Sequence, residues 1–167
     1  PMMTLNPVLR IDTQMIEAIL AHEKTSVATA RARARDALAR VGIPSPDVRL
    51  AAYPHQFSGG MRQRIAIAIA LACRPRLLIA DEPTTALDVT VQAGILRLLD
   101  RLRREHELAV ILITHDLGVM SSIADRVSIF YAGRVVESGP REDVLRRPRH
   151  PYTRALLDAL PHPELRR

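Results

Sequence analysis

The sequence predicts an α/β fold in which a helical subdomain stands ahead of a sheet with parallel strands. Two short continuous apolar runs, Leu77 to Ala80 and Ala109 to Ile113, fit buried parallel strands. Between them Val91, Ile95, Leu98, Leu99 and Leu102 recur at helical spacing, which gives strand–helix–strand alternation. Each run ends in polar residues able to do chemistry: Asp81-Glu82-Pro83 after the first, Thr114-His115-Asp116 after the second.

Residues 8–41 read as helices. Ala28 to Arg40 is an Ala/Arg segment in which Asp36 and Arg40 stand at i,i+4 spacing, as on an exposed helical face. The run Arg31, Arg33, Arg35 reads as part of that wetted face, and Gly42, Pro44 and Pro46 end the segment. Across residues 58–73, Ile65, Ile67, Ile69 and Leu71 alternate with alanines and so superficially resemble a strand. Both alternating sets are apolar, and Ala is a strong helix former. With Ser58-Gly59-Gly60 in front and Arg74-Pro75 behind, a buried helix is expected. Beyond His115 the pattern predicts a short helix over 117–124, a strand over 127–131 and a hairpin through Ala132-Gly133.

Composition narrows the function. The chain has 167 residues, 47% hydrophobic, enough for a folded core rather than disorder. Only 3% is aromatic and there is no Trp, which argues against a stacking platform for single-stranded nucleic acid. The formal charge is +6, and Lys24 is the one lysine among 24 basic residues. The arginines are dispersed rather than clustered, so they read as solvated helix faces and no nucleic-acid partner is expected. A single cysteine, Cys73, excludes an internal disulfide and reads as a small buried hydrophobe. No apolar run reaches membrane-spanning length and no signal peptide is apparent, so the expectation is a soluble or peripheral chain in a reducing compartment. A start at Pro1 rather than Met suggests part of a longer protein.

Two carboxylates at the carboxyl end of a buried strand are costly unless they serve a ligand, and that edge is where α/β sheets bind ligands. Asp81 suits a magnesium carboxylate, and Glu82 is placed to polarise an attacking water, a role worth about 10² to 10⁴ in rate. In Phe57-Ser58-Gly59-Gly60-Met61, two glycines permit close backbone approach, and the following helix aims its N–H groups and positive end at an anion. Taken alone, Ser58-Gly59-Gly60 is only a helix cap, and a histidine after a strand is more often structural.

Together these segments resemble the ABC ATPase superfamily. Phe57 to Met61 is similar to its signature motif, Leu77 to Glu82 to Walker B with the catalytic glutamate, Ala86-Leu87-Asp88 to the D-loop, and His115 to the switch histidine. The resemblance implies ATP and Mg²⁺ as cofactors, with Asp81 as the metal carboxylate and Glu82 and His115 as catalytic groups. Ser58, Gly59, Gly60, Met61 and Asp88 would face nucleotide, although Asp88 also suits the cap of the next helix. A closer resemblance, to dipeptide/oligopeptide importer ATPases, rests on Tyr53-Pro54-His55-Gln56, on Thr84 to Gln92 and on His150-Pro151-Tyr152-Thr153-Arg154-Ala155-Leu156-Leu157. The opening Pro1 to Pro7 is similar to the stretch that follows the family's Q-loop.

The implied fold is a partial P-loop NTPase (ABC ATPase): a helical signature subdomain, residues 1–72, then an incomplete RecA-like sheet over 73–140. Residues 141–167 form a C-terminal extension carrying the His-Pro-Tyr motif. Phe57 replaces the usual Leu of the signature, and Met61 a common Gln. No Gly-x-x-x-x-Gly-Lys-[Ser/Thr] loop occurs; Glu23 precedes Lys24-Thr25 where glycine is required, and the Q-loop glutamine is missing as well. In the family the P-loop strand lies between those matching 109–113 and 127–131, so its absence would leave unpaired backbone on both sides. The chain alone is therefore expected neither to fold stably nor to hydrolyse ATP.

The resemblance further implies a subunit that energises import of peptides, or of related small solutes such as nickel. It would sit peripherally on the cytoplasmic face of the bacterial inner membrane. Its partners would be a second ABC ATPase subunit, in a homo- or heterodimer, integral permease subunits docked against about residues 5–57, and indirectly an extracytoplasmic solute-binding protein. The alternatives are a non-transport ABC ATPase, and a non-catalytic half-domain that completes a partner's nucleotide site.

Overall fold

The computed structural model describes residues 5–159. They form two compact units, one running to Ile113 and one beginning at Thr114.

The first unit opens with three helices, α1 (Ile11–His22), α2 (Val27–Arg40) and α3 (Pro46–Leu50). Ile11, Met15 and Ile19 recur every four residues and are fully buried, which fixes the inner face of α1. Ser26 caps α2, its Oγ accepting the Thr29 N–H at 3.1 Å. The inner face of α2 is small, Ala30, Ala34, Ala37 and Leu38, so that α1 and the long helix α4 (Gly59–Ala72) approach it closely. Helix α4 buries Ile65, Ile67, Ala68 and Ala72, residues on more than one side. That is why its isoleucine–alanine alternation carries no strand signal.

The expected wetted face of α2 is exposed at Arg31, Arg35, Asp36 and Arg40, with Arg33 half-buried, but its charges also bridge helices. Arg31 and Arg10 both bind the buried carboxylate of Asp12, at 2.8 and 2.7 Å, tying α2 to the start of α1. Arg33 pairs with Glu23 and donates to the carbonyl of Ala72, capping the last turn of α4. Asp36 takes Arg35 rather than Arg40, while Arg101 donates to the Arg40 carbonyl. Cys73 follows α4, half-buried, its Sγ directed at the carbonyls of Ala18 and Ile69, and burial pushes its thiol pKa up.

Strands β1 (Leu77–Asp81) and β2 (Ala109–Ile113) are parallel, in register from Leu77–Ala109 to Asp81–Ile113. Between them runs α5 (Val89–Glu105), whose Ile95, Leu98, Leu99 and Leu102 join the same core as α1, α2 and α4. The apolar runs predict strands buried throughout, but one face is only partly covered and the other is open: Leu77, Ile79, Ile111 and Ile113 are 47–60% exposed. Helices normally cover both faces of a parallel sheet. Among the described residues of this unit, the helical core reaches only the face of Leu78, Ala80 and Val110.

The second unit holds α6 (Leu117–Ile123), β3 (Arg126–Tyr131), β4 (Arg134–Pro140), α7 (Arg141–Arg146) and α8 (Pro151–Asp158). β3 and β4 form an antiparallel hairpin of their own, in a sheet separate from β1–β2. Ala132 and Gly133 turn it with φ of 48° and 75°, the left-handed pair a two-residue hairpin needs. The His-Pro-Tyr segment opens α8 at Pro151, two residues before Thr153. His150 caps it, Nδ1 accepting the Tyr152 N–H at 3.1 Å, and the Tyr152 ring packs on Tyr131 with centroids 4.5 Å apart. Glu137 of β4 accepts the N–H groups of Arg149 at 2.8 Å and His150 at 3.1 Å, which anchors the helix to the hairpin.

Candidate functional site

Ser58 is the cap of α4, as its residue type predicts, with Oγ accepting the Met61 N–H at a long 3.4 Å. Gly59 and Gly60 head the helix, and their N–H groups have no acceptor within it. Ser58 and Gly59 are exposed, so this positively polarised end is open to a ligand. On the inner side the turn is anchored. Phe57 is 3% exposed, lies under the Arg49 guanidinium at 5.5 Å, and offers its carbonyl to Arg62 Nε at 3.0 Å. Met61 packs against the core.

The glycines also face the segment that leads into α5. A β-carbon on Gly59 would lie 3.4 Å from Leu87 Cδ2, and one on Gly60 only 2.5 Å from Val91 Cγ1. The turn at 58–61 and the segment at 87–91 are thus packed together. Asp88 caps α5, Oδ1 accepting the Val91 N–H at 2.9 Å, so the expected capping role is present.

Asp81 ends β1 with an exposed side chain, across the ladder from Ile113. Glu82 extends the ladder by one bond, its N–H donating to the Ile113 carbonyl at 2.9 Å. There the backbone turns left-handed, with φ 48° at Glu82 and 63° at Ala86. The chain adopts the same left-handed conformation at Ser45, Arg74, Glu107 and Ala132, so here it marks a sharp change of direction. Two consecutive turns carry the chain from β1 to α5: Thr85 N–H to Glu82 O at 3.2 Å, then Leu87 N–H to Thr84 O at 3.2 Å. Pro83 and Thr84 are buried beneath them. Thr85, which sequence reasoning passed over, donates its hydroxyl to Glu82 Oε2 at 2.8 Å. Its signal was the spacing, three residues after the glutamate in a turn-forming stretch.

The first unit therefore packs Gly59 and Gly60 against Leu87 and Val91, on either side of Asp88, and places Asp81 and Glu82 at the end of the strand that leads there. His115 belongs to the second unit and is exposed, in the turn that opens α6. Beside it Asp116 caps α6, accepting the N–H groups of Gly118 and Val119 at 2.8 and 3.2 Å.

Among the described residues no three His, Cys, Asp or Glu side chains cluster as a metal cage. Asp81 and Glu82 stand side by side at the end of β1, two carboxylates rather than a cage. At the other end of β1 and β2, a pocket of about 350 Å³ is lined by Arg40, Arg74, Arg76, His106 and Glu107. The C-terminal ends of α2, α4 and α5 meet there, and the arginines offset their partial negative charge.

Comparison with known proteins accords with this geometry. Residues 3–85 match the family model "ABC transporter", and residues 136–167 match "Oligopeptide/dipeptide transporter, C-terminal region". The chain is 55% identical over 99% of its length to the dipeptide transport ATP-binding protein DppD of Bacillus subtilis, of which it covers 49%. It is 52% identical over 96% of its length to the oligopeptide transport ATP-binding protein OppD of the same organism, of which it covers 45%. The chain spans about half the length of the curated relatives it matches. Among solved structures, the dimeric bacterial ABC transporter cassette MJ0796 superposes with a TM-score of 0.68 at 31% identity, over 82% of this chain and 59% of that one. A second structure of that cassette holds ADP and Pi. The chain belongs to the ABC transporter family and carries the oligopeptide/dipeptide transporter C-terminal region.

Proposed function

We propose that this chain is the signature-bearing and Walker B-bearing part of an ATPase subunit that energises import of peptides or related small solutes through a membrane permease. The observation that carries this reading is the close packing of Gly60 on Val91. It holds an exposed, anion-seeking helix end beside the segment that runs from the Asp81–Glu82 strand.

In the proposed mechanism Ser58, Gly59 and Gly60 point N–H and hydroxyl groups at the terminal phosphate of an ATP gripped by a second ATPase subunit, with Met61 closing the turn. Asp81 would hold the accompanying Mg²⁺, and the ion would supply charge neutralisation on the phosphates. Glu82 takes the proton of the attacking water, His115 orients that water against the γ-phosphate, and Asp88 lines the dimer contact. Among the described residues no helix is long and apolar enough to cross a membrane, in keeping with a peripheral subunit on the cytoplasmic face of the bacterial membrane. The proposed partners are a second ATPase subunit, permease subunits against about residues 5–57, and a solute-binding protein upstream of both.

The test uses a full-length ATPase in which this chain replaces the matching half of the Bacillus subtilis relative. Glu82→Gln is expected to lower turnover about 10² to 10⁴-fold while ATP stays bound. Normal turnover in that variant removes Glu82 from the base role. Ser58→Arg is expected to abolish turnover without weakening binding of ATP to the same subunit, because the signature serves the partner's nucleotide.

A further inference from the structure

We propose that Thr85 is the positioning residue for Glu82, holding its carboxylate in one rotamer through the hydroxyl bond to Oε2; this rests on Glu82 being the base. Three hydrogen bonds support it. The Glu82 N–H is fixed on Ile113 O at 2.9 Å, which sets where the residue leaves the sheet. The Thr85 N–H returns to Glu82 O at 3.2 Å, which brings residue 85 back over residue 82. The Thr85 hydroxyl then reaches Oε2 at 2.8 Å.

The left-handed backbone at Glu82, φ 48°, makes this return available, since it reverses the chain directly at the end of the strand. A glutamate side chain turns about three bonds, and a base works only within hydrogen-bond reach of its water. A carboxylate offers about four acceptor positions, so a hydroxyl on one oxygen leaves capacity for that water. Threonine suits this role because its β-branching restricts χ1 and thereby the direction of its hydroxyl.

The experiment measures steady-state ATP hydrolysis by the full-length ATPase described above. Thr85→Val keeps the shape and removes the donor. It is expected to lower kcat roughly ten- to a hundredfold with KM for ATP changed by less than about twofold. Thr85→Ser restores the donor and is expected to stay within about threefold of the parent. In a Glu82→Gln background, Thr85→Val is expected to cause no further loss, because the two residues act as one unit. Thr85→Ala, with no added bulk, repeats the measurement if the valine variant melts at lower temperature. Parent-like turnover in both Thr85→Val and Thr85→Ala overturns the proposal. So does an equal loss in Thr85→Ser, or the same fold-loss in the Glu82→Gln background. Normal turnover in Glu82→Gln alone instead sinks the base assignment on which the proposal stands.

Discussion

A β-carbon on Gly60 would stand 2.5 Å from Cγ1 of Val91, closer than any real pair of such carbons. The head of α4 and the head of α5 are therefore locked at a distance only glycine allows. This contact makes the turn at 58–61 and the segment at 87–91 a single packed body.

Gly60→Ala is accordingly expected to destabilise the full-length ATPase by about 1–3 kcal/mol, the usual range for overpacking. Val91→Ala in the same protein removes the opposing methyl groups and is expected to recover most of the loss. Thermal unfolding of the two single variants and the double variant checks this as a double-mutant cycle. Additive losses would show that the two residues do not meet.

Asp88 caps α5, and substitution separates that role from the one proposed for it at the dimer contact. Asp88→Ala removes the cap of α5 and is expected to cost about 1 kcal/mol of stability. Asp88→Ser keeps a capping oxygen, so stability should return, while turnover stays reduced if the carboxylate serves the dimer contact. Paired melting and ATPase measurements read the two effects; full recovery of both by Ser assigns Asp88 to capping alone.

The isolated 167-residue chain is expected to show no cooperative melt and no tight ATP binding. Leu77, Ile79, Ile111 and Ile113 leave one face of the β1–β2 sheet open, and among the described residues β1 and β2 pair only with each other. A two-stranded sheet with an uncovered apolar face is marginal in water. Calorimetry and nucleotide titration of the chain alone decide the matter, and a sharp unfolding transition with ATP bound would contradict it.

Glu137 gives the hairpin-to-α8 anchor a pH dependence. Burial pushes its pKa up, but donors around it, among them the N–H groups of Arg149 and His150, outweigh this and hold it below the ordinary value. A carboxyl whose folded pKa is lowered adds stability in full above its unfolded value, about pH 4–5. That contribution fades as pH falls through the lower folded value. Protection of the Arg149 and His150 amides, measured against the intrinsic exchange rate at each pH, is therefore expected to fall below about pH 4. Glu137→Gln should show low protection already at pH 7 and little further change in it on acidification; identical protection profiles in the two proteins would refute the anchor.

The local order along the chain was readable because it rests on nearest neighbours. The apolar runs became β1 and β2, the stripe from Val91 to Leu102 became α5, and Ala132-Gly133 became the hairpin turn. Asp88 and Ser58 cap as their side chains predict, since capping spans only three residues. Charge partners were less legible. Asp36 took Arg35, and Arg31 crossed to Asp12, nineteen residues away, because helix packing rather than helix spacing chooses among several arginines.

The sequence by itself nominated the residues proposed to bear the chemistry, because motif spacing and strand endings are properties of a few consecutive side chains. Only the tertiary structure decided that Gly60 must be glycine, that Thr85 grips Glu82, and that one face of β1–β2 stands uncovered. Those facts arise where separate segments converge in space or fail to, and distances of that kind are set by packing across the whole unit.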